Sequence, residues 1–194
     1  PTANFNGAAS FSYIATDGTA DTAATTVTVN VGAVNDAPTG SFTISGTATQ
    51  GQTLTANNTL ADADGLGTLD YTWKAGGAVI TGATASTYTL TQAEVGKAIT
   101  VEISYTDREG TLETVVSSAT ENVVNVNDIL TGEVTITGAV SEGEVLAVDT
   151  SALVDADGFG EFNYQWKADG NDIAGAAERT FTLTQAEVGK VITV

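Results

Sequence analysis

An all-β chain of tandem sandwich domains is predicted by three observations. Hydrophobic and polar residues alternate with period two through most of the sequence. The apolar runs are short, rich in Thr and Val, and separated by clusters of Gly, Asn and Asp. Long stretches of sequence also return about one domain length later.

Thr89-Leu90-Thr91-Gln92-Ala93-Glu94-Val95-Gly96-Lys97 recurs as Thr182 to Lys190, 93 positions on. Asp62-Ala63-Asp64-Gly65 recurs as Asp155-Ala156-Asp157-Gly158, and Trp73-Lys74-Ala75 as Trp166-Lys167-Ala168. Asn35-Asp36 returns as Asn127-Asp128 at a spacing of 92, so one residue is inserted between Gly51/Gly143 and the acidic motif. A repeat of this length can bury its own core. The expected organisation is one complete repeat over 36–127 and a second over 128–194, level with Val101 at its end and lacking its last two strands. Residues 1–35 read as the closing strands of a truncated preceding repeat, because Phe11-Ser12-Tyr13 and Val27-Thr28-Val29 mirror Ile103-Ser104-Tyr105 and the strand before Asn127. On this reading the chain is a piece of something longer.

Within 36–127 the elements follow in order. Phe42/Ile44 mark strand A (41–46), and residues 52–56 form strand B. Leu69, Tyr71, Trp73 and Ala75 alternate with Asp70, Thr72 and Lys74 on strand C (69–75). Short C′ (78–80) and E (86–90) follow, the latter carrying Tyr88 and Leu90. Strand F (98–105) alternates Ile99, Val101, Ile103 and Tyr105 with Thr100, Glu102 and Ser104, and G (113–126) is expected to be bulged. Thr91–Gly96 has room for one helical turn. Trp73 on strand C resembles the core tryptophan of an immunoglobulin-like sandwich without its disulfide. Both Trp73 and Trp166 are expected to plug a core, the alternative being an exposed sugar-stacking platform. Lys74 and Lys167 are expected on solvent.

Composition narrows the function. Six basic residues stand against 24 acidic ones, a net charge of −18. Such a chain repels phosphate backbones and anionic membrane surfaces, so neither nucleic-acid binding nor membrane insertion is expected. Capture of cations and solubility at high salt remain. Cys, Met and His are absent, which removes thiolate metal sites and any Ser–His or Cys–His pair. No catalytic residues are expected. The Asp62/Asp64 pair lies two residues apart on a turn, unlike carboxylates facing across a substrate cleft.

Asn-Asp-Ala-Pro (35–38), Leu-Ala-Asp-Ala-Asp-Gly (60–65), Tyr-x-Trp-Lys (71–74), the 88–97 segment and Ser-Tyr-Thr-Asp (104–107) together resemble the bacterial Ig-like repeats of giant secreted RTX-type adhesins. Residues 1–35 look more like the end of a cadherin-like repeat. The resemblance implies an extender region of tandem Ig-like domains in an extended array, stiffened by calcium, at the bacterial cell surface or outside it. Its partners are then the neighbouring repeats of the same chain, and the parent protein serves adhesion and biofilm formation. Repeat two departs from the pattern at Asp128-Ile129-Leu130, where Ala-Pro is lost.

A sandwich of this kind places the strand-A start and the B–C and F–G loops at one end. Asn35, Asp36, Asp62, Asp64, Asp107 and Glu109 should therefore converge, as should Asn127, Asp128, Asp155 and Asp157 in the second repeat. Clustered carboxylates with a turn-forming Gly suit Ca²⁺, which takes six to eight oxygen ligands. Glu94, on the E–F corner, is a candidate ligand across a junction, with Glu187 its equivalent; the plain alternative is a solvated corner residue. Asp-x-Asp-Gly also serves as a simple turn whose carboxylates accept backbone N–H groups. Arg108 between Asp107 and Glu109 is placed to pair with a carboxylate. Two alternatives to the spacer stay open: a carbohydrate- or cell-binding module, and a fibre subunit joined to other copies by strand complementation.

Overall fold

The computed structural model describes residues 4–194; residues 1–3 of the first expected segment lie outside the described residues. The chain is built from short antiparallel strands with two 3₁₀ turns, Gln92–Glu94 and Gln185–Glu187. It divides into two compact units, Pro1–Asn125 and Val126–Val194.

Unit 1 opens with a hairpin of β1 (Gly7–Tyr13) and β2 (Thr25–Val31), with Phe11 opposite Val27. Seven further strands follow: β3 (Phe42–Ser45), β4 (Thr53–Asn58), β5 (Asp70–Ala75), β6 (Ala78–Val79), β7 (Thr87–Thr89), β8 (Ile99–Thr106) and β9 (Leu112–Val116). They form two sheets in the orders β3-β4-β7 and β6-β5-β8-β9. One buried cluster draws Phe42, Leu54 and Ala56 from the first sheet and Trp73, Ile99, Val101, Ile103 and Tyr105 from the second. The fold is an all-β sandwich, and the strands expected at A to F are there.

Alternation explains the core directly. On β8 the residues Ile99, Val101, Ile103 and Tyr105 are each at most 1% exposed, while Thr100, Glu102 and Ser104 on the other face are half-buried. Trp73 lies opposite Val101 in register, is fully buried, and donates its indole N–H to the Ala85 carbonyl at 2.9 Å. Lys74 is less open than expected for a solvent-facing residue. Its Nζ lies 2.8 Å from Glu102 Oε2, a cross-strand ion pair on the outer face of the kind that contributes about 0–1 kcal/mol.

The strand expected over 113–126 is split. Pairing with β8 stops at Val116, and the buried Ser117 takes over with its hydroxyl accepting the Val101 N–H at 3.0 Å. The chain then returns at Asn122–Val124 to bridge Ala98, Val95 and Thr49. Gly40 shows a second local demand. It sits at φ +101°, and an added Cβ would overlap the Thr59 carbonyl; Gly132 at φ +93° meets the Ala152 carbonyl in the same way. Gly40→Ala and Gly132→Ala should each cost about 1–3 kcal/mol, from backbone strain and overpacking together. Urea unfolding of each variant checks this, and a shift below about 0.5 kcal/mol would contradict the tight approach.

Unit 2 repeats the plan in shorter strands: β10 (Thr135–Thr137), β11 (Val145–Asp149), β12 (Lys167–Ala168), β13 (Asn171–Asp172), β14 (Thr180–Thr182) and β15 (Ile192–Thr193). The sheets run β10-β11-β14 and β13-β12-β15. Its core centres on Leu146, Val148, Trp166 and Leu183. Trp166 is fully buried and donates its indole N–H to the Glu178 carbonyl at 2.9 Å. No helix among the described residues is long and apolar enough to cross a membrane.

Candidate functional site

The acidic loops of unit 1 meet through a chain of hydrogen bonds. Asp62 Oδ1 accepts the Asp64 N–H at 2.8 Å, closing the Asp-Ala-Asp-Gly turn. Asp64 Oδ2 in turn accepts the Asp36 N–H at 2.6 Å, tying that turn to the segment ahead of β3. Gly65 donates to the Asp62 carbonyl at 3.1 Å with φ +94°, a conformation open to glycine. The Arg108 side chain packs over Gly65; no ion pair involves it among the described residues.

Unit 2 builds the same clasp. Asp155 Oδ1 accepts the Asp157 N–H at 2.9 Å, and Asp157 Oδ2 accepts the Asp128 N–H at 2.7 Å. Asn127 Nδ2 donates to the Asp128 carbonyl at 2.8 Å. Two sequence-distant segments are thus locked by the same atoms in each repeat. The turn reading accounts for these bonds.

Tyr105 and Asp107, at the end of β8 and just beyond it, complete the acidic pole of unit 1. The Tyr105 hydroxyl donates to Asp62 Oδ2 at 2.6 Å. Burial first, then the Asp62 hydrogen bond and the charges of Asp62, Glu113 and Asp107, push this phenol well above its ordinary value. Asp107 is 6% exposed, and its Oδ1 accepts the Thr111 N–H at 2.8 Å. Its Oδ2 is buried and has no hydrogen-bond partner, a costly state for a carboxylate oxygen. Asn35 reaches the same pole by donating from Nδ2 to Glu113 Oε1 at 2.8 Å. Glu109 is exposed on the adjoining turn.

Because the Tyr105 phenol is raised, its contribution to stability is complete below its ordinary value of 10.0 and is lost as pH climbs beyond it. Tyr105→Phe should flatten the alkaline limb of the stability curve and cost about 1–2 kcal/mol at neutral pH. Denaturant melts between pH 7 and 11 test both parts. An unchanged alkaline limb would remove Tyr105 from the account.

Asp36 and Asp64 also line a cavity of about 330 Å³ with Asn4, Asn6, Val31 and Val34. Asn4 and Asn6 stand 92 positions ahead of Gly96 and Ala98, the end of the E–F corner. Asn4, Asn6, Tyr105 and Glu113 were not expected from the sequence; Tyr105 could have been suspected from Tyr-x-Asp at the close of strand F.

Glu94 is not the solvated corner residue of the plainer sequence reading. It is 5% exposed, and its Oε2 accepts both the Thr91 N–H at 2.9 Å and the Thr91 hydroxyl at 2.7 Å. Thr91 Oγ1 accepts the Ala93 N–H in return, a reciprocal cap on the 3₁₀ turn. Glu187 and Thr184 repeat it, and the Thr184 hydroxyl and N–H hold the Glu187 carboxyl below its usual range. Thr-x-x-Glu was the readable signal. These carboxylates are turned onto their own corner, so the solvated-corner picture gives way to a buried cap.

Among the described residues, no group of three or more carboxylates is gathered at metal-binding spacing. What the pole offers is hard oxygen donors in a negative field, including one buried oxygen without a partner. That donor chemistry matches a hard cation such as Ca²⁺. No protein-family model, curated protein or solved structure matches the chain.

Proposed function

We propose that the chain is a calcium-stiffened spacer, made of tandem repeats that hold a binding module away from a bacterial cell as part of a surface adhesin or extracellular fibre. The observation that carries this reading is the clasp repeated atom for atom in both units, joined in unit 1 by a buried, unpartnered Asp107 Oδ2 whose charge acts on the same Tyr105 that Asp62 binds. Asp36, Asp62, Asp64 and Asp107 are the candidate ligands in unit 1, and Asp128, Asp155 and Asp157 in unit 2; none of these sets is gathered at metal-binding spacing as it stands, so binding would have to draw the loops closer. Asn35 and Asn127 stand beside them. The ion supplies positive charge that offsets clustered carboxylates and ties the linker segment to the loops. Domains joined by small polar interfaces otherwise move freely.

Two further observations favour a spacer over an adhesive module. Both tryptophans are spent in cores rather than offered as stacking platforms, and the Asp-Ala-Asp-Gly, Trp-Lys-Ala and Thr-Leu-Thr-Gln-Ala-Glu-Val-Gly-Lys motifs are repeated. Extracellular modules bind calcium at about 10⁻⁴–10⁻³ M, which suits a device slack inside the cell and taut outside it. Calorimetric titration of calcium into chelator-stripped protein tests the reading, with magnesium as control. Saturable, calcium-selective binding is the expected result. Its absence from a folded β-rich chain would reduce Asp-Ala-Asp-Gly to a turn and end the calcium proposal.

A further inference from the structure

One sheet edge in unit 1 carries large exposed hydrophobics. Strand β9 (Leu112–Val116) ends the sheet β6-β5-β8-β9 and is paired on one side, by β8. Leu112 is 70% exposed and Val116 52%. At the other end of that sheet β6 has two residues, and the outward side chains of the edge strand β3 are the polar Thr43 and Ser45.

The direction of the free backbone on β9 follows from its register. Asp107 N–H donates to the Thr111 carbonyl and Ser117 N–H to the Val101 carbonyl, each at 2.9 Å. Between them Tyr105 lies opposite Glu113 and Ile103 opposite Val115. The period of two therefore turns the backbone of Glu113 and Val115 toward β8 and that of Leu112, Thr114 and Val116 toward the open edge. The side chains of these three residues are also exposed. Edges of this kind are commonly blunted by Lys or Pro, and β9 has neither.

We propose that this edge is a docking surface for a second copy of the chain, joined β9 to β9 antiparallel about a two-fold axis through Thr114. The strand is self-complementary in that register. Leu112 faces Val116 of the second copy, Thr114 faces Thr114, and Val116 faces Leu112. Each pair exchanges two backbone hydrogen bonds, about six in all, and the two apolar pairs cover each other's exposed side chains. Charge fixes the register. Glu113 faces Val115 of the second copy, and its carboxylate accepts the Asn35 amide at 2.8 Å. A slide in one direction would set Glu113 against Glu113, like charges directly opposite; a slide in the other would leave Leu112 without an apolar partner. A two-fold contact closes at two copies. It uses none of the clasp carboxylates and stands apart from the calcium reading.

Sedimentation velocity of the whole 194-residue chain reads the association. Each copy carries a charge of −18, so the dimer should strengthen as added salt screens that repulsion. Leu112→Lys with Val116→Lys sets like charges across both apolar pairs and should weaken the dimer about tenfold or more, although it lowers the overall repulsion. Leu112→Lys with Val116→Glu sets opposite charges across the same pairs and should recover most of the association. The chain has no cysteine, so a single introduced thiol can form a disulfide between copies alone. Oxidation should trap a dimer of Thr114→Cys and not of Leu112→Cys, whose position faces Val116. A monomer at every salt and chain concentration overturns the proposal. So does a dimer indifferent to the Lys pair, which would place the contact on another surface. Equal trapping of the two cysteine variants overturns the register and the two-fold with it.

Discussion

Trp73→Ala is expected to remove about 3–5 kcal/mol from unit 1, a large share of the roughly 5–15 kcal/mol that holds a domain together. The side chain is fully buried, stands opposite Val101, and packs with its ring centroid 6.0 Å from that of Tyr88. Truncation opens a cavity between the sheets and leaves the Ala85 carbonyl without its indole donor. The chain has two tryptophans, so the variant leaves Trp166 as the reporter of unit 2. Circular dichroism should show an early transition from unit 1 while Trp166 fluorescence keeps its original midpoint. A single unshifted transition would show that Trp73 is not the centre of that core. Trp166→Ala should be harsher still, because unit 2 centres on four buried hydrophobics where unit 1 has thirteen.

Calcium is expected to give the second large effect. At a concentration about 100-fold above its dissociation constant, an ion that binds only the folded state adds roughly 2.7 kcal/mol. For a domain of about 100 residues that is a rise of about 10–20 °C in melting temperature. Screening of the −18 charge will stabilise the chain without specificity, so magnesium at equal ionic strength is the reference. Asp64→Asn keeps an oxygen to accept the Asp36 N–H but lacks the charge, and should lose most of the calcium increment. Asp107→Asn carries the sharper signature. Without calcium it should match the parent or exceed it by up to about 1 kcal/mol, because a buried carboxylate with one orphan oxygen is replaced by a neutral amide. With calcium its increment should vanish. If Asp107→Asn is destabilised without calcium and retains the calcium increment, the orphan oxygen has no part in cation binding.

Strands A to F were legible because each is read from a short local pattern of at most eight residues, and one inward face suffices to place it. Leu54, Trp73, Ile99, Val101 and Ile103 are core residues for that reason. The split at Ser117 was not legible, because the Val101 N–H that its hydroxyl accepts lies on a neighbouring strand 16 residues earlier. The burial of Glu94 was missed because charge was weighed and the reciprocal cap was not; Thr91 three residues before it carried the information.

The repeat, the all-β class, the inward faces and the acidic character follow from the amino-acid sequence alone, since each is a property of neighbouring residues or of composition. Tertiary structure decided which carboxylates meet. It placed Tyr105 on Asp62, joined Asp64 to Asp36, buried Asp107 with one oxygen unpartnered, and left Glu109 exposed. It also buried Val123 in the unit 1 core. Local periodicity fixes the direction of a side chain relative to its own strand. The distance between two loops depends on how strands far apart in sequence pair, and no periodicity carries that.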